Sequence, residues 1–287
     1  MLSRAAGHGH TDPVSGPGAL LRASHPEPTV AVTALATAVA ASAGRGVGGC
    51  VLVAATVLTG QLSIGWSNDV IDAGRDTDAG RRDKPIAAGA ISSRVVVAAS
   101  GAAVVLCVPL SLAHGWRAGL AHLVCVGGGW AYNMGLKRTL LSFLPYAVSF
   151  GLLPAFIALG LDGSPSPRPW VVVAGALLGV GAHFLNVVPD VSDDLAAGVR
   201  GLPQRLGVRS ARTGGAALLA VAAAVVTFGP SGRVPTWAYS GFSLAVVLSL
   251  LSAGLGRGAG SRTPFLLAML TAAVAVGLLV GRGAVIA

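Results

Sequence analysis

Long apolar segments, separated by short polar ones, make up most of the chain. Nine of these segments approach the ~20 residues that a helix needs to cross a bilayer core, although the first is short. They lie at 29–44, 48–67, 94–113, 117–136, 140–161, 169–188, 211–229, 235–255 and 264–281. Glycine and proline clusters interrupt the chain between them. The pattern predicts an all-α integral membrane protein with nine transmembrane helices in a bundle around a central cavity.

The composition excludes a soluble globular protein. Hydrophobic residues make up 53% of the 287 residues, charged residues only 11%, and the mean hydropathy is +0.73. Soluble domains carry roughly 25% charged residues, so too little polar sequence remains here to cover a water-exposed surface. The net charge of +9 does not indicate nucleic-acid binding, because the basic residues lie in small groups between apolar segments.

The distribution of basic residues predicts the orientation of the bundle. With the N-terminus inside, fifteen of the 20 Lys and Arg residues fall in inner segments and five in outer ones. Because cytoplasmic loops are enriched in Lys and Arg, we expect the N-terminus on the cytoplasmic side of the plasma membrane. The excess of Arg over Lys, together with abundant Ala, Gly and Val, suggests a GC-rich and therefore bacterial source.

The N-terminal segment differs in composition from the rest. Residues 1–28 are rich in proline and glycine and have no continuous apolar core, which argues against a cleavable signal peptide. We therefore expect 1–28 to be a mobile cytoplasmic tail. Residues 29–287 are expected to form a single nine-helix membrane domain.

The acidic residues are concentrated in two clusters. The first cluster follows the second apolar segment and the other follows the sixth, and together they hold eight of the 11 acids: Asp69, Asp72, Asp76, Asp78, Asp83, Asp190, Asp193 and Asp194. Segments four apart in a membrane bundle run in the same direction. Both clusters are therefore expected on the cytoplasmic side, opposed to each other across the cavity.

The two clusters share one spacing. Each places Asn, Asp and Asp at i, i+4 and i+8, and the sets are Asn68, Asp72 and Asp76, and Asn186, Asp190 and Asp194. On a helix, two residues four positions apart differ in direction around the axis by only about 40°, so each set would lie on one face. Carboxylates grouped at a membrane boundary are costly unless a cation neutralises them.

Carboxylate and amide oxygens, without thiols or paired histidines, suit Mg²⁺, which also binds substrate phosphates. The predicted metal ligands are Asn68, Asp72, Asp76, Asp190 and Asp194. Two such faces opposed across a cavity would hold Mg²⁺ around one diphosphate. The metal would then neutralise the charge that develops on the diphosphate as it leaves.

These motifs resemble those of the UbiA superfamily of intramembrane prenyltransferases. Asn68 to Asp76 match the NDxxDxxxD motif of that family, and Asp190 to Asp194 match its DxxxD motif. The stretches 81–89 and 196–207 are similar to two family segments that follow these motifs. The resemblance covers about residues 20–285 and implies nine transmembrane helices, a prenyl diphosphate substrate and Mg²⁺.

The chain also departs from the family pattern at several positions. Val187 stands where many members have Asp, Lys84 where Arg is commoner, and Gly201 where Thr or Ser is usual. His183 stands where ubiquinone-type members often carry an extra Asp. Pro189 precedes Asp190 and removes a backbone donor, so it predicts a kink in the sixth helix or its end.

Roles follow from the residue types and from the resemblance. The candidate catalytic residues are Asp72, Asp76, Asp190, Asp194 and His183, where His183 could accept a proton, shape the acceptor pocket or simply pack. Basic side chains near the motifs suit diphosphate oxygens, and aromatic faces can stabilise an allylic cation. The candidate substrate-binding residues are Arg22, Asp69, Arg81, Arg82, Lys84, Tyr132, Lys137, Arg138, Asn186 and Arg200.

Three functions were considered for this pattern. The favoured function is a Mg²⁺-dependent transferase that ionises an allylic prenyl diphosphate and passes the prenyl group to an aromatic or other electron-rich lipophilic acceptor, with membrane lipid as its surroundings. A terpene cyclase on the same scaffold would use a double bond of the prenyl chain itself as the nucleophile. A transporter or a lipid-binding protein is disfavoured, because its acids would lie nearer the bilayer midplane.

Overall fold

In the computed structural model, residues 16–256, 260–283 and 286–287 are described, and within these ranges every regular element is helical. The α-helices are α1 Pro17–Ala23, α2 Pro26–Ser42, α3 Val47–Asp78, α4 Ser93–Leu112, α5 Trp116–Met134, α6 Leu144–Leu159, α7 Pro169–Val187, α8 Val191–Ala196, α9 Leu202–Phe228, α10 Thr236–Gly254 and α11 Thr263–Gly281. Short 3₁₀ turns lie at Leu136–Arg138, Leu140–Phe143 and Val188–Asp190.

Each apolar segment predicted from the sequence overlaps one of the longer helices. Seven helical segments of the described chain are long and apolar enough to cross a membrane, which is consistent with a multi-pass membrane protein. Helices α2 and α5 are not among the seven. Helix α2 has 17 residues, and α5 carries the polar residues Arg117, His122 and Asn133 along its length.

The long helices pack side by side around the bundle. Helix α3 packs on α2, α4 and α5, and the chain then continues through α6 and α7 to α9. Helices α10 and α11 pack on α9, and α11 also contacts α7 and α2, which closes the arrangement. The central packing is apolar, with Phe156, Ile157 and Val57 fully or almost fully buried. This order places the C-terminal ends of α3 and α7 at the same end of the bundle.

Glycines allow α6, α7 and α9 to approach closely. A Cβ atom added at Gly179 of α7 would lie 2.5 Å from the carbonyl oxygen of Tyr146 in α6. A Cβ at Gly215 of α9 would lie 2.9 Å from Cγ of Leu185 in α7. Small residues at helix interfaces permit such close backbone packing within a membrane. The close approach sets the His183 ring of α7 against α6.

Part of the N-terminal segment, which the sequence predicts as a mobile tail over 1–28, is helical and packs on α3. Residues 17–23 form α1, in which Ala19 and Ala23 are buried. The indole Nε1 of Trp66 donates a hydrogen bond to the carbonyl oxygen of Leu20 at 2.9 Å. The sequence did not indicate this docking because α1 is too short to show an apolar period. Residues 1–15 lie outside the described residues.

The two motif-bearing segments have different local structures. Helix α3 has 32 residues and continues past the predicted end of its span, so the first motif lies on a regular helix. Helix α7 ends at Val187, and Pro189 lies in the 3₁₀ turn that leads into α8. The predicted break at Pro189 is confirmed. As a consequence, Asn186, Asp190 and Asp194 do not share one face of a continuous helix, contrary to the prediction.

Candidate active site

Three carboxylates of the first motif are buried on α3. The exposed fractions are 1% for Asp69, 3% for Asp72 and 3% for Asp76. Asp72 and Asp76 are one helical turn apart, so both point to the same side of α3. Buried carboxylates require compensating charge or hydrogen bonds, and the surrounding residues supply both.

Asp72 is the most heavily contacted acid of the site. Nζ of Lys137, which lies in the 3₁₀ turn after α5, is 2.5 Å from its Oδ1 atom. The amide Nδ2 of Asn68 donates to Oδ2 at 3.1 Å. The same amide also donates to Oδ1 of Asn133, which anchors Asn68 to α5. Burial lowers the pKa of Lys137, and the neighbouring Asp72 carboxylate opposes that shift.

Arg75 joins the two motifs. Its Nη2 atom lies 3.1 Å from Oδ2 of Asp72, and its Nε atom lies 3.6 Å from Oδ1 of Asp76. Its Nη1 atom lies 3.8 Å from Oδ1 of Asp194 in α8. One guanidinium therefore spans from the first acidic motif to the second, and both motifs lie at one end of the bundle.

The acids of the second motif are less buried than those of the first. Asp190 lies 3.7 Å from Nη1 of Arg81, which comes from the loop after α3. Asp194 accepts a hydrogen bond from Nε2 of Gln204 at 2.9 Å. Both acids thus contact residues from other parts of the chain, and the loop after α3 reaches across to the second motif.

Lys84 connects the loop after α3 to the N-terminal segment. Its Nζ atom lies 3.6 Å from Oδ1 of Asp69 and 3.2 Å from Nε2 of His25. Burial lowers the pKa of His25 to about 3, and Lys84 adds to that shift, so the ring is neutral near pH 7. A neutral ring can accept a hydrogen bond from the ammonium group of Lys84 at Nε2. Arg22 donates a hydrogen bond to the carbonyl oxygen of Asp83 at 3.2 Å.

Arg81 also forms a bidentate ion pair within its own loop. Its Nε and Nη2 atoms donate to the two carboxylate oxygens of Asp83, each at 2.9 Å. This pairing raises the pKa of Arg81 and lowers the pKa of Asp83. Both groups therefore remain charged near pH 7. The pair holds the guanidinium beside Asp190.

An aromatic cluster lies on α5, α6 and α7. The ring of His183 stacks on Tyr146 at a centroid distance of 4.4 Å and meets Tyr132 edge-on at 5.5 Å. His183 is fully buried, and its Nε2 atom lies 3.3 Å from Oγ of Ser142. Its Nδ1 atom has no hydrogen-bond partner in the part of the chain that the structure describes. A buried ring nitrogen of this kind can accept a proton from a molecule bound beside it.

The structure groups most of the predicted site residues but not all of them. Arg82, Arg138, Asn186 and Arg200 are exposed, and within the described chain no side-chain hydrogen bond or ion pair joins them to the motif acids. Conversely, the sequence analysis missed Arg75, Gln204 and Asn133. Arg75 lies three residues after Asp72, which is the spacing of a helical ion pair, so this spacing could have identified it.

The chemistry of the donors fits Mg²⁺, although their present arrangement is held by basic side chains. Within the described residues, no three His, Cys, Asp or Glu side chains converge as a metal-ligand group. The carboxylates contact Arg75, Lys137 and Lys84 instead. Oδ2 of Asp76 is buried and has no hydrogen-bond partner over 16–256, 260–283 and 286–287, and such an oxygen is suited to a hard cation.

Comparison with known proteins identifies similar sequences and folds. The model of the UbiA prenyltransferase family matches residues 29–263. No curated protein sequence matches the chain at a significant level.

Several solved structures have the same fold. An apo UbiA homolog from Aeropyrum pernix K1 is 18% identical with a TM-score of 0.71, and the match covers 90% of this chain and 97% of the homolog. A UbiA homolog from Archaeoglobus fulgidus bound to GPP and Mg²⁺ is 19% identical with a TM-score of 0.65, covering 91% and 99%. A digeranylgeranylglyceryl phosphate synthase structure is 13% identical with a TM-score of 0.62, covering 93% and 96%.

Proposed function

The chain belongs to the UbiA prenyltransferase family, and we propose that it is a Mg²⁺-dependent intramembrane prenyltransferase. It would ionise an allylic prenyl diphosphate and transfer the prenyl group to an aromatic or other electron-rich lipophilic acceptor. The observation that carries the proposal is the contact of Arg75 with Asp72 and Asp194, which brings both motifs within reach of one diphosphate. The homolog from Archaeoglobus fulgidus, bound to GPP and Mg²⁺ in one structure and to DMAPP and Mg²⁺ in another, supports the substrate class and the metal.

The acids and bases at the mouth of the bundle have complementary roles in this proposal. The metal ligands would be Asn68, Asp72, Asp76, Asp190 and Asp194. When bound, Mg²⁺ would neutralise charge on the leaving diphosphate. Arg81 and Lys137 lie beside Asp190 and Asp72, and Lys84 is held by Asp69. These three basic side chains would bind diphosphate oxygens.

The proposed reaction separates charge between the prenyl carbon and the diphosphate. As the allylic C–O bond breaks, its electron pair passes to the diphosphate oxygen, and the carbon becomes electron-deficient. Tyr132 and Tyr146 would stabilise that carbon through their ring faces. The acceptor then forms the new C–C or C–heteroatom bond and loses a proton. His183, with a buried ring nitrogen free of hydrogen bonds, is the candidate to accept that proton.

The proposed topology has nine membrane-spanning helices, namely α2 to α7 and α9 to α11. Helices α2 and α5 would cross as part of the bundle, since both pack against helices of the apolar set. The excess of basic residues at the end that carries the motifs favours a cytoplasmic active site and a cytoplasmic N-terminus. We propose the plasma membrane of a bacterium as the location and 29–287 as one membrane domain.

A terpene cyclase is the second candidate function. It is favoured by the aromatic enclosure of His183, because Tyr132, Tyr146 and Phe184 all contact its ring and could fold a reactive chain. Products distinguish the two functions. The purified protein is incubated with Mg²⁺ and geranyl, farnesyl or geranylgeranyl diphosphate in the absence of an acceptor. A cyclic hydrocarbon or alcohol indicates a cyclase, whereas turnover that begins only when an aromatic acceptor is added indicates a transferase.

The metal site is tested by removing one charge from each motif. We expect Asp72→Asn and Asp190→Asn each to reduce Mg²⁺-dependent release of diphosphate by about a hundredfold or more, because charge neutralisation drives the ionisation. Asp78→Asn is the matched control, since Asp78 is exposed at the end of α3, and it should retain parental activity. Parental rates in both motif variants would show that the site lies elsewhere.

A further inference from the structure

Arg75 occupies a central position among the acids of both motifs. Each of its three guanidinium nitrogens faces a different carboxylate, those of Asp72, Asp76 and Asp194, at 3.1, 3.6 and 3.8 Å respectively. Within the described part of the chain, Arg75 alone contacts an acid of each motif. Lys84, Lys137 and Arg81 each contact one motif acid. The charge that holds the two motifs together is therefore concentrated on one side chain.

The oxygens that Arg75 contacts are those that the proposed function assigns to the metal. Oδ2 of Asp72 faces both Arg75 and the Asn68 amide. Oδ1 of Asp76 faces Arg75, whereas Oδ2 of the same carboxylate is buried without a hydrogen bond. A guanidinium at this distance repels a divalent cation and competes with it for the charge of the same carboxylates. Metal binding at both motifs is therefore opposed as long as Arg75 stays in this position.

Arg75 is able to move because its side chain is only partly buried. It is 27% exposed, while the Asp72 and Asp76 side chains are each 4% exposed. A diphosphate placed between the motifs would present several oxygens to the same guanidinium, and Arg forks pair well with phosphate. A bound diphosphate would therefore give the Arg75 guanidinium another anionic partner when the metal binds the carboxylates of Asp72, Asp76 and Asp194.

We propose that Arg75 is an internal counter-ion that makes metal binding depend on diphosphate. Without diphosphate, Arg75 neutralises Asp72, Asp76 and Asp194 and keeps the affinity for free divalent metal low. With diphosphate, the guanidinium transfers to the phosphate oxygens, and the carboxylates become available to the metal. This inference rests on the proposed function, since it concerns the same metal site. It adds that diphosphate binds before the metal binds tightly.

The test measures metal binding rather than turnover. Parent, Arg75→Gln and Arg94→Gln proteins are embedded in nanodiscs and dialysed to equilibrium against Mn²⁺, with and without inorganic diphosphate. Arg94→Gln is the matched control, because it removes the same charge from an exposed residue at the start of α4. Coupling between two ligands of one site typically amounts to 5–150-fold, and we expect Arg75→Gln to bind Mn²⁺ about tenfold more tightly than the parent without diphosphate.

The outcomes separate this inference from the proposed function. The counter-ion role of Arg75 is supported if, without diphosphate, Arg75→Gln binds Mn²⁺ more tightly than the parent and Arg94→Gln binds it with parental affinity. Equal or weaker binding by Arg75→Gln overturns it while the metal site stands, provided that both proteins bind Mn²⁺ with diphosphate. If the parent retains no Mn²⁺ even with diphosphate, the proposed function itself fails, and the inference fails with it.

A second variant covers the case in which Arg75→Gln does not fold. Arg75→Lys keeps the charge, but its ammonium is a single point donor and cannot face three carboxylates together. We expect it to bind Mn²⁺ about fivefold more tightly than the parent in the absence of diphosphate, at the low end of the range for coupled ligands. Parental affinity in Arg75→Lys would contradict the inference.

Discussion

His183 differs from the other candidate site residues in its surroundings. The acids and bases lie at the mouth of the bundle, whereas His183 is fully buried between Tyr132 and Tyr146. Its Nδ1 atom lacks a hydrogen-bond partner among the described residues, and leaving a buried polar atom unsatisfied costs about 1–3 kcal/mol. The proposed role of His183 as a proton acceptor rests on this unsatisfied nitrogen.

The role of His183 is tested by a substitution that keeps an aromatic ring. If His183 accepts a proton, His183→Phe should lower turnover by about a hundredfold, the scale expected for loss of a general base. Binding of Mn²⁺ with diphosphate and the unfolding temperature should stay near the parental values, since the metal site lies elsewhere. Steady-state turnover, equilibrium dialysis and thermal unfolding measure the three quantities.

Tyr146→Phe is the control for that experiment. It keeps the ring that stacks on His183 and removes only the hydroxyl group. Loss of turnover in Tyr146→Phe to the same extent as in His183→Phe would point to a general disturbance of the cluster. Parental turnover in His183→Phe would assign His183 to packing.

At the scale of elements, the segment that connects α8 to α9 packs tightly against the 3₁₀ turns that follow α5. A Cβ atom at Gly201 would lie 2.7 Å from the carbonyl oxygen of Lys137 and 2.9 Å from Oγ of Ser142. It would also lie 2.6 Å from Oε1 of Gln204, whose amide donates to Asp194. The Thr or Ser that is usual in the family at this position does not fit here, so glycine allows α9 to approach the Lys137 turn.

We therefore expect Gly201→Ala to disturb the site as well as the fold. Overpacking of a tight contact typically costs about 1–3 kcal/mol, so the unfolding temperature should fall. Because the Lys137 turn must move, diphosphate release should fall too. Gly101→Ala is the control, since Gly101 lies in α4 with open space around it: the unfolding temperature should not fall, because Ala favours a helix over Gly, and diphosphate release should stay at the parental rate. Parental stability and activity in Gly201→Ala would show that the contact is not tight.

At the scale of the whole molecule, the closed arrangement brings together segments that are distant in sequence. Helix α11 packs on α2, and Arg262 pairs with Glu27 at 2.6 Å across that contact. Three long helices, α4 to α6, lie between α3 and α7 in the chain, so α3 and α7 run in the same direction. Their C-terminal ends therefore lie at the same end of the bundle. A site of charged groups at one end and apolar helices behind it suits a substrate with a charged head and a hydrocarbon tail.

The proposed orientation is tested by labelling introduced cysteines in intact cells. Arg94 and Arg233 are both exposed but lie at opposite ends of the bundle, in the first turn of α4 and in the loop before α10. In a background without Cys50, Cys107 and Cys125, a membrane-impermeant maleimide should label Arg233→Cys in intact cells. It should label Arg94→Cys only after lysis, because the positive-inside rule places that end in the cytoplasm. The reverse pattern would invert the topology.

The sequence by itself determined where the helices lie and where the acids gather. A membrane helix satisfies its own backbone hydrogen bonds, so a run of apolar residues is sufficient to predict it. The continuation of the first motif on a helix follows from i, i+4 spacing. The break after Val187 follows from Pro189, whose missing N–H acts locally. Each of these properties depends on residues that are neighbours along the chain.

Only the tertiary structure decided which side chains meet. Arg75 was counted from the sequence as one basic residue of an inner loop, and its contact with Asp194 joins positions from two distant helices. Arg82 and Arg200, which the sequence predicts beside the substrate, are exposed, and within the described chain neither forms an ion pair with a motif acid. Side-chain contacts between remote segments depend on the distances and rotations of packed helices. Those distances are set by close approaches such as that of Gly179 in α7 to the backbone of α6, which the apolar pattern does not encode.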